Sequence, residues 1–440
     1  MMALRSASSS NSISSSFAVC TIPMRTSTSR SPLLVPPPGI APGTPTLQGT
    51  GRMVVVEHVN DLTERNERWA ATMGGFRPET HQEVITAHED SSARIEISDP
   101  DHGDQGVHRL AREDREGLLT PGATRAHGAG QRADEEEPDP WRTCFERDRD
   151  RILHASSFRR LAGKTQVFVY PDDHQRTRLT HALEVAQVAT GIARALGLNV
   201  ALTEAIALGH DCGHGPGGHA SEDAFDPFLP NGFNHAPWGA DVSLVSLNLC
   251  VETLDGIRNH SWSRPAPSTP EGEVVSWADR IAYVCHDFED AVSTGIVTPE
   301  QLPQGVADLC GSRRGQQLGT FIDAMVATTL RHGTIGMDPE HAQALAEFRA
   351  FNYESIYLRR ESRDQANAVI EVLTSLVEHF IQHPNTIPET VAQGDLLAGE
   401  AAAAHAAVSH VAGMTDRYAF RSAVALTGYN PDRLPLGIDP

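Results

Sequence analysis

The stretch HDCGHGPGGHASE, His210–Glu222, holds three histidines, two acids and four glycines in thirteen positions. That much glycine disfavours a helix interior, and ordinary loops do not concentrate so much imidazole. The run before it, ALTEAIALG (201–209), repeats apolar residues at helical spacing and predicts a helix with Thr203 or a nearby residue as its cap. His210 and Asp211 therefore stand where a helix ends. Adjacent side chains splay apart within a helix, but at a helix end both can converge on one ion. Imidazole and carboxylate together suit divalent first-row metals. Two ligands rarely suffice, and the sequence offers His181 before the pair and Asp279 after it.

Both of those residues lie in further helical patterns. RLTHALEVAQVATGIARALGL (178–198) predicts an amphipathic helix with Leu183, Ala186, Ile192 and Leu196 near one stripe. EGEVVSWADRIAYVCHDFEDAV (271–292) predicts another. More helices are expected at 241–257, 314–332, 338–361, 363–383, 396–411 and 414–427. Strand-like alternation is confined to TQVFVY (165–170), and no repeat of fixed period occurs. The expectation is a mostly α domain over 141–430 with a short tail at 431–440.

Residues 1–140 read differently. The first fifty-odd are rich in Ser, Thr and Pro, with the first acid at Glu57, a composition shared by transit peptides and disordered leaders. A short strand and helix are expected within 53–75. From 86 to 139 the chain is polar and acidic, ending in ADEEEPDP, which reads as linker or disorder.

The 440 residues carry a net charge of −21, so no general basic field exists to hold nucleic acid or an anionic membrane. An anionic substrate would need local Arg and Lys. The six cysteines are scattered without a CxxC pair, which argues against a disulfide framework and for a reducing, cytoplasmic setting. No apolar run approaches bilayer length.

A lone histidine on an amphipathic helix is usually structural, and a second His-Asp pair at His286–Asp287 shows how little the dipeptide says alone. The order is what carries weight: His on one helix, the His-Asp pair closing the next, Asp on a later one. In that order the chain resembles the HD-domain metal phosphohydrolases, specifically the deoxyguanosine triphosphate triphosphohydrolase-like branch. The matching stretches are FERDRDRILHASSFRRLAGKTQVF, RTRLTHALEVAQVA, LGHDCGHGPGGHASE, LNLCVETLDGI, VVSWADRIAYVCHDFEDAV and VAGMTDRYAF, between residues 145 and 420. The resemblance implies the multi-helix fold of that family and one metal held by His181, His210, Asp211 and Asp279. Mn or Mg is the foremost ion, and Fe, Zn or Co also suit the donors. It further implies attack of water on the α-phosphorus of a deoxynucleoside triphosphate, giving deoxynucleoside and tripolyphosphate. A homo-oligomer with nucleotide activation sites between subunits is implied as well.

The remaining candidates combine spacing with that resemblance. Glu222 follows His219 by three residues and shares its face if GHASEDAF is helical. His219 is then the general acid for the leaving 5′-oxygen and Glu222 its partner; the alternative is that Glu222 only caps a helix start. GHGPGG would let backbone approach phosphates, with free N–H groups at the helix opening behind it. His214 either contacts phosphate or packs. His235 matches a family histidine near the scissile phosphate. Asp279, Tyr283 and Asp287 step by four residues, so the ring and second carboxylate suit a deoxyribose and its 3′-hydroxyl, with Arg280 reaching terminal phosphates; a structural tyrosine with surface charges is the alternative. Arg178, one turn before His181, suits the α-phosphate, and Lys164 and Gln166 are further substrate-binding candidates. The chain departs from the family pattern at Gly217, where a bulky residue is usual and a looser loop is expected, and at Ala220, Ser221 and Ala236. Two other readings stay open: an HD phosphohydrolase acting on nucleoside monophosphates, cyclic nucleotides or alarmones, and a nucleotide sensor with little turnover.

Overall fold

The computed structural model describes residues 107–436, apart from 170, 172–173, 389–390 and 392–395, together with short stretches between 66 and 95. The chain divides into two units, 1–95 and 96–440. In the first, an antiparallel bridge joins Phe76 and Thr86 through paired main-chain hydrogen bonds of 2.8 and 2.7 Å. The expected disorder of the leader, and most of the strand and helix expected within 53–75, lie outside the described residues.

The second unit is built from helices. Those that form the site and its surroundings are α1 (Cys144–His154), α2 (Arg178–Leu196), α3 (Val200–Gly209), α4 (Ala220–Phe225), α5 (Val251–Asn259), α6 (Pro270–Ser293), α7 (Arg314–His332), α8 (Pro339–Asn352), α9 (Arg360–Gln382), α10 (Ala401–Ala412) and α11 (Asp416–Thr427). No strand occurs among the described residues; Thr165 of TQVFVY makes only an isolated bridge to Thr177. The helix expected at 241–257 begins only at Val251, after a π turn and a 3-10 turn. α3 is capped by Asn199, whose side chain accepts from Leu202 N, rather than by Thr203.

Two apolar cores result. The larger packs α2, α3 and α6 through Val185, Ile192, Leu202, Ile206, Val275 and Ile281. Each such fully buried aliphatic side chain contributes about 1.5–3 kcal/mol. Leu183 is not part of this core. It is 47% exposed, because the buried stripe of α2 runs through Ala182, Val185, Ala189 and Ile192 instead. The smaller core joins α9, α10 and α11 to Phe225, Phe233 and Trp238. The site lies where the two cores meet.

Residues 107–140, read from composition as linker, fold against the helical body. Arg132 donates to Asp148 at 2.6 Å, and both side chains are buried. Thr124 Oγ1 donates to the buried Glu271 at 2.7 Å. Polarity misled because these charges are paired with the body rather than solvated. The five cysteines among the described residues are free thiols. No helix among the described residues is long and apolar enough to cross a membrane.

Candidate metal centre

α3 ends at Gly209, and His210 occupies its C-cap. There the His210 Nδ1 lies 2.7 Å from the Ala207 carbonyl oxygen. That bond places the ring hydrogen on Nδ1 and leaves Nε2 a bare lone pair, buried and without a partner. α2 brings His181 and α6 brings Asp279 to the same point. His181 Nε2 is 3.0 Å from Asp279 Oδ1 and 3.9 Å from Asp211 Oδ2. His210 Nε2 is 3.4 Å from Asp211 Oδ1 and 3.7 Å from Asp279 Oδ1. An ion about 2.1 Å from each donor sets neighbouring donors about 3.0–3.4 Å apart. His181, His210 and Asp279 present donor atoms close enough together for such an ion, and Asp211 stands beside them, 3.4 Å from His210 and 3.9 Å from His181.

The electrostatics of the cluster agree with its composition. Burial opposes charge on Asp211, but His210, Arg178 and His214 outweigh it and hold the carboxyl well below its usual range. Burial likewise opposes charge on Asp279, and His181 and His210 reverse that, leaving it lowered. Burial would strip His181 of its proton, yet Asp279 and Asp211 raise it. Two acids and two imidazoles thus attract positive charge into a closed site.

A cavity of about 590 Å³ opens beside these donors, within the range of about 300–1,000 Å³ usual for small-molecule sites. Arg178, Gln166, His214, His219, Glu222, His235, Arg280, Tyr283 and Asp287 all line it. Arg178 is buried, donates from Nη1 to Asp211 Oδ2 at 2.7 Å, and leaves Nε and Nη2 unpartnered. Arg280 lies over the Trp262 ring, 3.5 Å from its centroid. Tyr357 donates its hydroxyl to Asp287 Oδ2, while Oδ1 has no partner. Burial pushes the Asp287 carboxyl up to about 7, against that hydrogen bond.

Several expectations are corrected by the geometry. Lys164 does not line the cavity; its ammonium is buried on the carbonyl oxygens of His214 and Ala412, the latter at 3.0 Å. Burial lowers it to about 8. Glu222 is hydrogen-bonded to His235 Nδ1 rather than to His219. His219 opens to the cavity while protein rings it, and burial, then Arg178 and His235, lower it to about 4. His214 Nε2 lies 3.2 Å from Asp211 Oδ1 and its ring stacks on His235.

The glycine-rich turn serves protein contacts. A Cβ on Gly213 would sit 1.9 Å from the His235 carbonyl oxygen, so glycine is what lets the two main chains meet. Gly217 does not loosen the loop. It takes φ +73°, a Cβ there would strike Val369 of α9, and its N–H donates to Asp416 Oδ1 at 2.8 Å. The N–H groups of Ser221 and Glu222 at the start of α4 are bonded to Gly218 and His219 carbonyls, not free for anions.

The HD domain family model matches residues 178–284, and the phosphohydrolase-associated domain model matches 335–424. A deoxyguanosinetriphosphate triphosphohydrolase-like protein of Caldanaerobacter subterraneus is 41% identical over 310 residues, spanning 69% of this chain and 90% of its own. One of that description from Clostridium perfringens is 40% identical over 299 residues, spanning 64% and 86%. A third, deoxyguanosinetriphosphate triphosphohydrolase-like protein 1 of Deinococcus radiodurans, is 33% identical over 369 residues, spanning 72% and 98%. The chain belongs to this family of HD-domain phosphohydrolases. It is thus a hydrolase of that family, and its His/Asp cluster suits a divalent metal.

The HD-domain match contains all four clustered donors, whereas the phosphohydrolase-associated match contains Arg349, Tyr357, Arg359 and Asp416. Three of these line the cavity. Asp416 holds two segments together, accepting from Thr165 N and Oγ1 as well as Gly217 N. Arg349 donates from Nε to the Tyr283 hydroxyl at 2.7 Å. Sequence reasoning missed these residues and also missed His260, which is buried with Nε2 3.2 Å from His235 Nε2. A signal for His260 existed: it closes α5 as His210 closes α3.

Proposed function

We propose that the protein hydrolyses deoxynucleoside triphosphates, of the deoxyguanosine triphosphate type, to deoxynucleoside and tripolyphosphate with a divalent metal. The observation that carries this reading is the pairing of the His181, His210 and Asp279 cluster, with Asp211 beside it, with the unpartnered Nε and Nη2 of Arg178 at one cavity. A divalent ion held by His181, His210, Asp211 and Asp279 would polarise a phosphoryl oxygen and acidify a water; Mn and Mg are the ions to test first. Arg178 binds the α-phosphate through its two free N–H groups and orients Asp211 with the third. Arg280 and Arg349 supply positive charge for the rest of the triphosphate. Asp287, with Oδ1 open and Oδ2 held by Tyr357, accepts from the 3′-hydroxyl, and Tyr283 lies against the sugar.

His219 delivers the proton to the leaving 5′-oxygen. Its low proton affinity in the empty cavity arises partly from Arg178. A bound polyphosphate offsets that charge and raises the imidazole towards neutral pH. Glu222 acts through His235, fixing that ring rather than His219.

The test is a panel of the four deoxynucleoside triphosphates with Mn or Mg, products separated by ion-pair chromatography, and Asp211→Ala as control. Tripolyphosphate from the wild type alone supports the reading. Pyrophosphate or monophosphate as the product rejects it. Assembly into a nucleotide-responsive homo-oligomer belongs to the same reading, and sedimentation with and without deoxyguanosine triphosphate tests that part.

A further inference from the structure

Two of the free thiols meet at the starts of two helices. Cys144 is the first residue of α1, and Cys250 is the N-cap of α5. The main chain at Gly130 passes over both. A Cβ on Gly130 would lie 2.5 Å from Cys144 Sγ and 3.4 Å from Cys250 Sγ. Gly130 has φ +78°, a left-handed conformation that glycine adopts without strain. Its segment is pinned there, with Gly130 N donating to the Glu252 carboxylate at 3.2 Å and Val251 N to Gln131 O at 2.9 Å. The Cys144 and Cys250 thiols are hydrogen-bonded to each other, and that bond, then burial, raises the proton affinity of Cys250.

The two thiols differ in access. Cys144 is half-buried and lines a second cavity of about 600 Å³, whereas Cys250 is fully buried. A small oxidant reaches Cys144 first. Cys212, Cys285 and Cys310 are buried and line neither cavity. Arg132 and Asp148 brace the pair. Arg132 donates from Nη2 to the Cys144 carbonyl at 3.0 Å and from Nη1 to Asp148 at 2.6 Å, and Asp148 Oδ2 accepts from Cys250 N at 2.8 Å. One ion pair thus fixes the two main chains that carry the thiols. An accessible thiol beside a buried one is the arrangement in which a second sulfur resolves the first oxidation.

We propose that Cys144 and Cys250 form a reversible disulfide, with a peroxide as the oxidant. The Cys144 thiolate attacks one peroxide oxygen. An S–O bond forms, the O–O bond breaks, and the other oxygen leaves as water with the proton that Cys144 gave up. The Cys250 sulfur then attacks the sulfur of the Cys144 sulfenic acid. An S–S bond forms, the S–O bond breaks, and the hydroxyl leaves as water with the Cys250 proton. Two thiols give two electrons and two protons to one hydrogen peroxide, which becomes two waters. A dithiol reverses the bond by exchange. The proposal is independent of the activity read at the metal centre. The bond closes a loop of about a hundred residues, so it restricts the unfolded chain and stabilises the folded one.

The experiment uses the full chain, reduced, freed of reductant and treated with hydrogen peroxide. Thiols are counted under denaturing conditions, and an unreduced peptide map locates any bond by mass spectrometry. The six thiols of the chain should fall by two, with Cys144 and Cys250 recovered in one linked peptide that a dithiol separates. The oxidised protein should melt at least about 4 °C above the reduced one. Cys250→Ser should leave Cys144 as a sulfenic acid that dimedone labels, and Cys144→Ser should leave Cys250 a thiol. The peptide map of the wild type decides the matter even where a variant fails to fold. All thiols intact after treatment overturns the proposal. So does Cys144 oxidised to sulfinic acid without a linked peptide, or a bond that joins other cysteines in place of this pair.

Discussion

Replacing Arg178 with lysine isolates what a guanidinium does at this position. The side chain is 1% exposed and meets Asp211 Oδ2 through Nη1 at 2.7 Å, with Nε and Nη2 unpartnered. Lysine keeps the charge but offers one compact ammonium in place of a planar fork. It can hold Asp211 or reach a phosphate oxygen, but cannot keep the geometry of both. Each hydrogen bond to a charged group in such a site contributes about 1.5–3 kcal/mol. Losing one should lower kcat/KM by about 10- to 150-fold, and losing both by the product of two such factors. Initial rates of tripolyphosphate release across a substrate series give kcat and KM separately, and mass spectrometry gives the metal content. Most of the loss should fall on kcat, because the phosphoryl charge that Arg178 meets grows towards the transition state. A lysine variant with wild-type metal content and wild-type kcat/KM refutes the assignment of Arg178 to phosphate.

Four other outcomes are expected. Asp287 has its folded proton affinity raised to about 7 by burial, so the native state binds the extra proton between roughly pH 4 and 7 and loses stability as pH rises through that window; Asp287→Asn, whose amide oxygen still accepts from Tyr357, should melt above the wild type at pH 8 and level with it near pH 4. Asp416→Ala removes the acceptor of three buried bonds to Thr165 and Gly217 and should cost about 3 kcal/mol in urea denaturation; a loss under 1 kcal/mol speaks against Asp416 as a tie. Gly213→Ala drives a methyl into the His235 carbonyl, a main-chain clash beyond the about 1–3 kcal/mol of ordinary overpacking, and an unchanged thermal melt contradicts the close approach. Arg132→Ala leaves Asp148 buried without its ion partner and should cost about 3–5 kcal/mol; a neutral result in the same denaturation assay returns residues 107–140 to the status of a linker.

How legible each feature was depends on how local its cause is. The mostly helical class was readable because α2, α3 and α6 each carry a periodic apolar face, and that face is written within one segment. The convergence of His181, His210, Asp211 and Asp279 was readable for a related reason. Each sits on one of three helices that pack directly on each other, and the His-Asp pair lies at a helix end. Leu183 was misplaced because its neighbours Ala182 and Val185 are small or branched, so the true stripe was as apolar as the assumed one. The stretch 107–140 was misread because composition counts charges without knowing their partners. Arg132 meets Asp148 across 16 residues and Thr124 meets Glu271 across 147, and no window of polarity registers such pairs.

Side-chain pairings within the site obey the same rule. Three residues separate His219 from Glu222, and helical spacing suggested that they share a face. The helix α4 begins only at Ala220 with His219 as its N-cap, and the two side chains do come together, with donor atoms within 4.8 Å of each other. The hydrogen bond of Glu222 nevertheless goes to His235, thirteen residues on and at the start of another helical turn. Once Glu222 holds His235 Nδ1, the other face of that ring is committed to whatever lies beyond it, and what lies there is His260. Helix spacing alone places neither ring opposite the other. It takes the C-cap of α5, the turn at 235–238 and the close passage of Gly213 together to set the two imidazoles within hydrogen-bond distance of each other beside Asp211. Local helical patterning thus brings His181, His210, Asp211 and Asp279 near one another, and tertiary packing adds the two histidines beside them.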